Sequence, residues 1–327
     1  MDQFKINQQK MQIIMKYIFF LFLVFCSTAF CQDTLNICSF NIQFLGNFKN
    51  KDNATLSKIL KPYDIVVIQE LVAPPIPGQF LDKTPYKVDE ESKAFYNEMK
   101  KQGFACWLST EDTGPTNNHV NSTASEWWII FYKTAKVRGD STRFHGFVSQ
   151  PLVANPNQDR VSFVFPFKTV HGNSTFSLIP VHLNPGDSKD DYSRRQVEFN
   201  YLFSWSKKQT EANKDFIILG DCNIYEASEF TPFKKLDFYS LNDKCKSTNT
   251  KIYESKEKGK PYDHVFYNSN SKEDLILNSF QVHDLKEQVK ALNPSNVIEP
   301  YDHDDFRAKY SDHLPVSFKL ITGRDTD

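Results

Sequence analysis

Carboxylate, amide and imidazole side chains recur in this chain at or beside the ends of apolar segments. Asn41 lies in Ser-Phe-Asn-Ile, and Glu70 follows Ile65-Val-Val-Ile-Gln. Glu126 opens Glu-Trp-Trp-Ile-Ile-Phe-Tyr, and His182 closes Leu-Ile-Pro-Val-His. Asp221 and Asn223 follow Phe-Ile-Ile-Leu-Gly, Asp263 sits in Pro-Tyr-Asp-His-Val, and Asp312-His313 precede Leu-Pro-Val. One such residue alone more often shapes a turn than does chemistry. Glu70 resists that reading, because a carboxylate after a buried-looking strand needs a partner or a cation. Taken together, the residue types suit phosphoryl chemistry. A phosphodiester is anionic and repels hydroxide, so its hydrolysis calls for a hard cation. Mg²⁺ prefers the carboxylate and amide oxygens that Asn41, Glu70, Asp221 and Asp312 can offer. Two imidazoles, His182 and His313, each oriented by a carboxylate, can take a proton from water and return one to the leaving alkoxide.

Such residues converge only if strands carry them to one edge. The sequence predicts strands at Leu35–Ile42, Asp64–Gln69, Phe104–Ser109, Glu126–Tyr132, Arg160–Lys168, Phe176–His182, Phe216–Asp221, Tyr262–Tyr267 and Leu314–Leu320. Most are rich in Val, Ile and Phe and are bounded by Asn, Asp, Gly or Pro. The continuous runs Ile65–Ile68 and Phe216–Leu219 predict strands covered on both faces. Helices are expected at Thr55–Lys61, Glu90–Gln102, Lys189–Lys208 and Glu226–Leu236. The third would start at an Asp187-Ser188 cap and bury a stripe of Val197, Tyr201, Leu202 and Trp205. Irregular alternation of strands and helices points to two packed sheets flanked by helices. No linker composition interrupts residues 33–321, which are read as one domain, with 322–327 as a polar tail.

Asn41-Ile, Gln69-Glu70, Gly220-Asp221-Cys222-Asn223, Tyr262-Asp263 and Ser311-Asp312-His313, in that order, resemble the endonuclease/exonuclease/phosphatase superfamily. Within it the chain is most similar to deoxyribonuclease I and to secreted bacterial relatives, from about Leu35 to Leu320. The resemblance implies an α/β fold, a four-layer αββα sandwich of two mainly antiparallel sheets flanked by helices. It implies that Glu70 binds the metal with Asn41, that Asp312 lies close to it, and that Asp221 and Asn223 position the metal or water and the scissile phosphate. It pairs His182 with Glu126 and His313 with Asp263 as the acid/base couples. The metal would be Mg²⁺, with Mn²⁺ or Ca²⁺ as substitutes or helpers. Arg residues that contact the DNA minor groove in deoxyribonuclease I are replaced by Gln43 and by the segment Leu71-Val-Ala-Pro-Pro75. Phosphate contacts would then fall to the basic stretch Lys189, Arg194 and Arg195, if its helix borders the cleft.

Formal net charge is −1, which argues against a protein that coats nucleic acid through an excess of cations but leaves room for a nuclease. Lys5, Lys10 and Lys16 precede an apolar run, Tyr17 to Phe25, and the small residues Ser27, Thr28 and Ala29. This reads as a secretory signal peptide over residues 1–31, so a secreted enzyme without stable membrane association is expected. Sequons at Asn53, Asn121 and Asn173 would accept glycans if they lie on the surface. Cys38, Cys106, Cys222 and Cys245 are too few for a disulfide framework, although a Cys222–Cys245 pair is open. The expectation is a monomeric, secreted, metal-dependent phosphodiesterase acting on nucleic acid, first of all DNA. The alternative is a phosphatase or phospholipase-type phosphodiesterase of the same superfamily, on sphingomyelin or an inositol phosphate. A binding module that keeps the fold without the chemistry is a third reading, set against by the filled positions.

Overall fold

The computed structural model describes residues 33–323 except 114–124, 173, 210–214 and 297–298. The expected signal peptide and the sequons at Asn121 and Asn173 lie outside the described residues. Residues Thr34–Asp327 form one compact unit. The strands that order its two main sheets are, in chain order, β1 (Thr34–Leu45), β2 (Ile65–Leu71), β3 (Ala105–Leu108), β4 (Trp127–Tyr132), β5 (Val137–Gly139) and β6 (Phe163–Thr169). They continue with β7 (Thr175–His182), β8 (Phe216–Asp221), β9 (Tyr239–Ser240), β10 (Asp263–Tyr267), β11 (Gln281–Val282) and β12 (Val316–Ile321). The α-helices are α1 (Asn53–Leu60), α2 (Glu90–Lys101), α3 (Lys189–Lys207), α4 (Leu285–Leu292) and α5 (His303–Lys309).

One sheet runs β11-β12-β1-β2-β4-β3 and the other β9-β10-β8-β7-β6-β5, with Gly146–Phe147 pairing on β6. Both are mainly antiparallel, and each has one parallel pair at its centre, β1 with β2 and β7 with β8. Strand periodicity explains the layers. On β1 and β2, Ile37, Ile65 and Val67 face the second sheet, while Cys38, Phe40, Val66 and Ile68 face α1, α2, α4 and α5. On β8, Ile217 and Leu219 join the same inter-sheet core, while Phe216 and Ile218 pack under α3. Three apolar clusters thus separate four layers, helices, sheet, sheet and helices. Continuous apolar runs mark strands whose two faces are both covered. Gly220 lets β8 pass β7 closely, since a Cβ there would run into the Val181 carbonyl oxygen.

Several sequence expectations need correction. The Glu226–Leu236 helix is two short 3-10 turns, Ala227–Glu229 and Thr231–Leu236, with Pro232 opening the second. The sixth strand starts at Phe163 rather than Arg160, because Arg160 turns to Glu126 and the Val161 carbonyl accepts the Trp128 indole N–H. The last begins at Val316, after Pro315, which has no N–H for the ladder. On α3 the Ser188 cap is a full capping box with Asp191, but the buried face is turned. Arg195, Glu198, Phe199, Leu202, Phe203 and Ser206 point inward, and Val197 is 45% exposed. Helices α4 and α5 were not expected. Asn53 is buried and donates its amide to Glu91, so it fails the surface condition for a glycan acceptor. Cys222 and Cys245 are unpaired.

Candidate active site

The site forms where the central strands of both sheets end. On β1 and β2 the ladder register shifts between Asn41 and Leu45 and between Ile68 and Leu71. In those irregular stretches Gln43, Phe44 and Glu70 take left-handed backbone, with φ of 55°, 49° and 60°, and Asn223 does so after β8 at 47°. Non-glycine residues held this way cost on the order of 1–3 kcal/mol each and tend to mark functional sites. The bulges aim Glu70 across β1. Its Oε1 accepts the Asn41 amide at 2.8 Å and its Oε2 the Phe44 N–H at 3.0 Å. Asn41 Nδ2 also reaches Asp221 Oδ2 at 3.0 Å, and Asn41 Oδ1 accepts the Gln43 N–H. Asn41 therefore ties the two carboxylates together across the sheet interface, with its oxygen turned to the bulge.

His182 and His313 meet at the same atom. Asp221 Oδ2 lies 3.6 Å from His182 Nε2 and 3.3 Å from His313 Nε2. Behind each ring a buried carboxylate fixes Nδ1, Glu126 Oε1 at 2.6 Å and Asp263 Oδ2 at 2.8 Å. Asn223 donates its amide to the Leu183 carbonyl and its N–H to Asp221 Oδ1, which stiffens the loop beyond β8. Ser311 Oγ donates to the Asn41 carbonyl at 2.6 Å and accepts the His313 N–H, so the Ser-Asp-His turn is pinned to β1. Lys51, buried, donates to the Tyr310 carbonyl at 2.9 Å and fixes the same turn from below. Burial pulls that ammonium down to about 7, although Glu70 and Asp312 act to hold its proton.

All nine expected residues are thus placed, but not equally. Carboxylate oxygens of Glu70 and Asp221 and a ring nitrogen of His182 lie within 4.8 Å of one another, close enough to hold one ion. Asp312 is not part of that group. Its Oδ1 is nonetheless buried without a hydrogen-bond partner, and its charge acts on Glu70. An orphaned buried carboxylate oxygen beside two more carboxylates fits a cation-binding site. Burial foremost raises the Glu70 pKa, with the Asp312 and Glu126 charges adding to it. Such strain would be relieved by a divalent ion.

Sequence reasoning missed Arg160. Its Nε lies 2.7 Å from Glu126 Oε1, the same oxygen that holds His182. Burial works against ionisation of Glu126, but the His182 and Arg160 charges outweigh it and hold the carboxyl below its usual range. The available signal was the one used for Glu126, a charged residue at the head of an apolar run. The basic stretch on α3 is also corrected. Arg195 is fully buried on Glu229 and on the carbonyls of Asn184 and Gly186, and Arg194 is held by Asp159 and Pro156. Arg195 is therefore closed to a phosphate and Arg194 is already paired at the surface, while Lys189 at the head of the helix is exposed.

The model of the Endonuclease/Exonuclease/phosphatase family matches residues 38–313. No curated protein matches the chain in sequence. Among solved structures, a functionally unknown conserved protein from Enterococcus faecalis V583 superposes with a TM-score of 0.55 at 14% identity, over 88% of this chain and 100% of that one. An endonuclease/exonuclease/phosphatase family protein from Bacteroides thetaiotaomicron gives 0.52 at 17%, over 89% and 98%. The D. rerio TDP2 structure complexed with single strand DNA product gives 0.53 at 15%, over 89% and 100%. At these identities the likeness is one of fold.

Proposed function

Because the chain belongs to the endonuclease/exonuclease/phosphatase family, we propose that it is a secreted, Mg²⁺-dependent nuclease that hydrolyses phosphodiester bonds, with DNA as its first substrate. Members are generally hydrolytic phosphoesterases and typically need a divalent metal. The observation that carries the reading is the shared focus of both imidazoles on Asp221 Oδ2, each ring fixed from behind by its own carboxylate. That arrangement leaves two Nε2 atoms facing one small space, as a base and an acid on either side of a phosphate would.

Glu70, Asp221 and Asp312 would hold the cation, with Asn41 keeping the first two in register. A bound Mg²⁺ supplies charge that neutralises the phosphoryl oxygens as negative charge develops on them. Mg²⁺ prefers oxygen ligands, which leaves His182 Nε2 for the proton rather than for the ion. His182 takes a proton from the attacking water as the new P–O bond forms. The bond to the leaving oxygen breaks, and the His313 imidazolium protonates that alkoxide. Asn223 steadies the loop that presents Asp221.

The test uses plasmid DNA, a single-stranded oligonucleotide, sphingomyelin and bis(p-nitrophenyl) phosphate, each with and without EDTA. Cleavage of DNA that EDTA abolishes is expected. Glu70→Gln keeps the shape but removes charge, so activity should fall by at least about 10³-fold with folding retained. Wild-type turnover by that variant at limiting Mg²⁺ would remove Glu70 from the metal site. Good turnover of sphingomyelin without DNA cleavage would replace the substrate. N-terminal sequencing of material from the medium should find a start between Phe30 and Leu35.

A further inference from the structure

A cation is free to bind a substrate phosphate only if nothing in the fold has already neutralised it. Most arginines near this site fail that condition, since Arg160, Arg194 and Arg195 each rest on a carboxylate. Arg307 and Lys260 differ, the first linked to the site through Gln43 and Asn41 and the second through tyrosines that pack beside His313. Arg307 on α5 donates from Nε to Gln43 Oε1 at 3.3 Å. Gln43 is 2% exposed, and its N–H is bonded to Asn41 Oδ1, so a neutral amide anchors the guanidinium two hydrogen bonds from Asn41. The nearest acid is the surface residue Asp304, 3.9 Å away and 91% exposed, a pair too loose and too wet to neutralise it.

Lys260 has a different anchor. Its ammonium lies 5.7 Å from the centre of the Tyr225 ring, and among the described residues no carboxylate lies within 4 Å of it. Tyr225 packs edge-on against Tyr262 at 5.2 Å, and Tyr262 lies 5.7 Å from the His313 ring. The Lys260 carbonyl accepts the Thr248 N–H, and the neighbouring Asn249 bridges to His313. A π face and an amide share one property as anchors. They orient a cation without cancelling its charge.

We infer that Arg307 and Lys260 form a clamp for the phosphates that flank the scissile one. The ligand class is a linear phosphodiester chain with a phosphate on both sides of the cut, as in a polynucleotide, rather than an isolated phosphoester. The clamp deepens the nuclease reading above and rests on it. It also explains how a chain of net charge −1 could engage a polyanion, through two placed cations rather than through a basic surface.

The test compares a single-stranded oligonucleotide with bis(p-nitrophenyl) phosphate, which carries one phosphate only. Arg307→Ala and Lys260→Ala should each lower the ratio of oligonucleotide to small-diester kcat/KM by about tenfold. Each should also flatten the dependence of log(kcat/KM) for the oligonucleotide on log salt by roughly one unit, the loss of one phosphate contact. Arg307→Lys should restore most of the slope. An unchanged ratio and slope, or equal losses on both substrates, would overturn the clamp while leaving the nuclease reading intact. Wild-type enzyme that hydrolysed the small diester but no oligonucleotide would instead remove the nuclease reading, and the clamp with it.

Discussion

His182 and His313 both hang from a buried carboxylate and both face Asp221 Oδ2, yet the two pairs are charged differently. Glu126 serves Arg160 as well as His182, so the carboxylate already has a permanent cation. Asp263 has no such second cation among the described residues and pairs with His313 alone. For His182, burial and the Arg160 charge both oppose protonation, and Glu126 and Asp221 overcome them to raise its pKa. For His313 only burial opposes, and Asp263, Asp221 and Asp312 lift it well above its ordinary value. Two rings of the same type thus differ in the charges around them, an opposing arginine at His182 and the further carboxylate Asp312 at His313. The ring that holds its proton less tightly suits the base, and the other the acid.

The largest expected effect tests that division directly. His182→Ala and His313→Ala should each lower kcat on DNA by at least about 10²-fold, the usual scale for a positioned acid or base. The double variant should lose far less than the product of the two, since both act in one step. p-Nitrophenolate leaves without a proton, so on bis(p-nitrophenyl) phosphate the His313→Ala loss should shrink to about tenfold or less. The His182→Ala loss should persist on that substrate. Equal losses on both substrates would show that the rings do not divide the work as proposed.

Arg160 gives the next effect. Arg160→Met keeps bulk and removes the charge that opposes protonation of His182. The imidazole should then hold its proton to higher pH, and the acidic limb of the kcat profile should move up with it. At pH below that limb activity should be lost, roughly tenfold for each pH unit the limb moves. A profile that keeps its limb, with activity lowered evenly at all pH, would make Arg160 a packing residue only.

What the sequence revealed follows from the same physics. Strands whose two faces are apolar, such as Ile65–Ile68, announce themselves, and with them the polar residues at their ends. The helix α3 misleads because its buried face carries Arg195 and Glu198, which hydrogen-bond the loops around the site. Glu198 accepts the N–H groups of Asp159 and Asn184, and burial lifts its carboxyl to about 6. An apolar stripe cannot report a face that is buried for its charges. Helix α5 has one buried residue, Phe306, and offers no period to read. The roles of Arg160 and Arg307 were hidden for a related reason. Each matters through a partner distant in sequence, Glu126 in one case and Gln43 in the other. Which Nε2 meets which oxygen is likewise a property of the two sheets packed together.

The smallest effect separates the pairs by stability in metal-free protein. A histidine whose folded pKa is raised binds more protons folded than unfolded. Its contribution is complete below the unfolded value of about 6.5 and fades as pH rises through the folded value. His313 is raised further than His182 can be against Arg160, so the Asp263 pair should carry more of the pH dependence. Asp263→Asn should therefore lower Tm more at pH 6 than at pH 8.5, by a few degrees at about 2 °C per kcal/mol. Glu126→Gln should behave differently. It leaves Arg160 buried without its carboxylate, a cost of about 3–5 kcal/mol that does not depend on protonation of the arginine. Its Tm loss should be the larger of the two and nearly level with pH. Calorimetry of both variants in EDTA, from pH 6 to 8.5, makes the comparison. Parallel Tm curves for Asp263→Asn and Glu126→Gln would mean that Arg160 does not distinguish the two imidazoles.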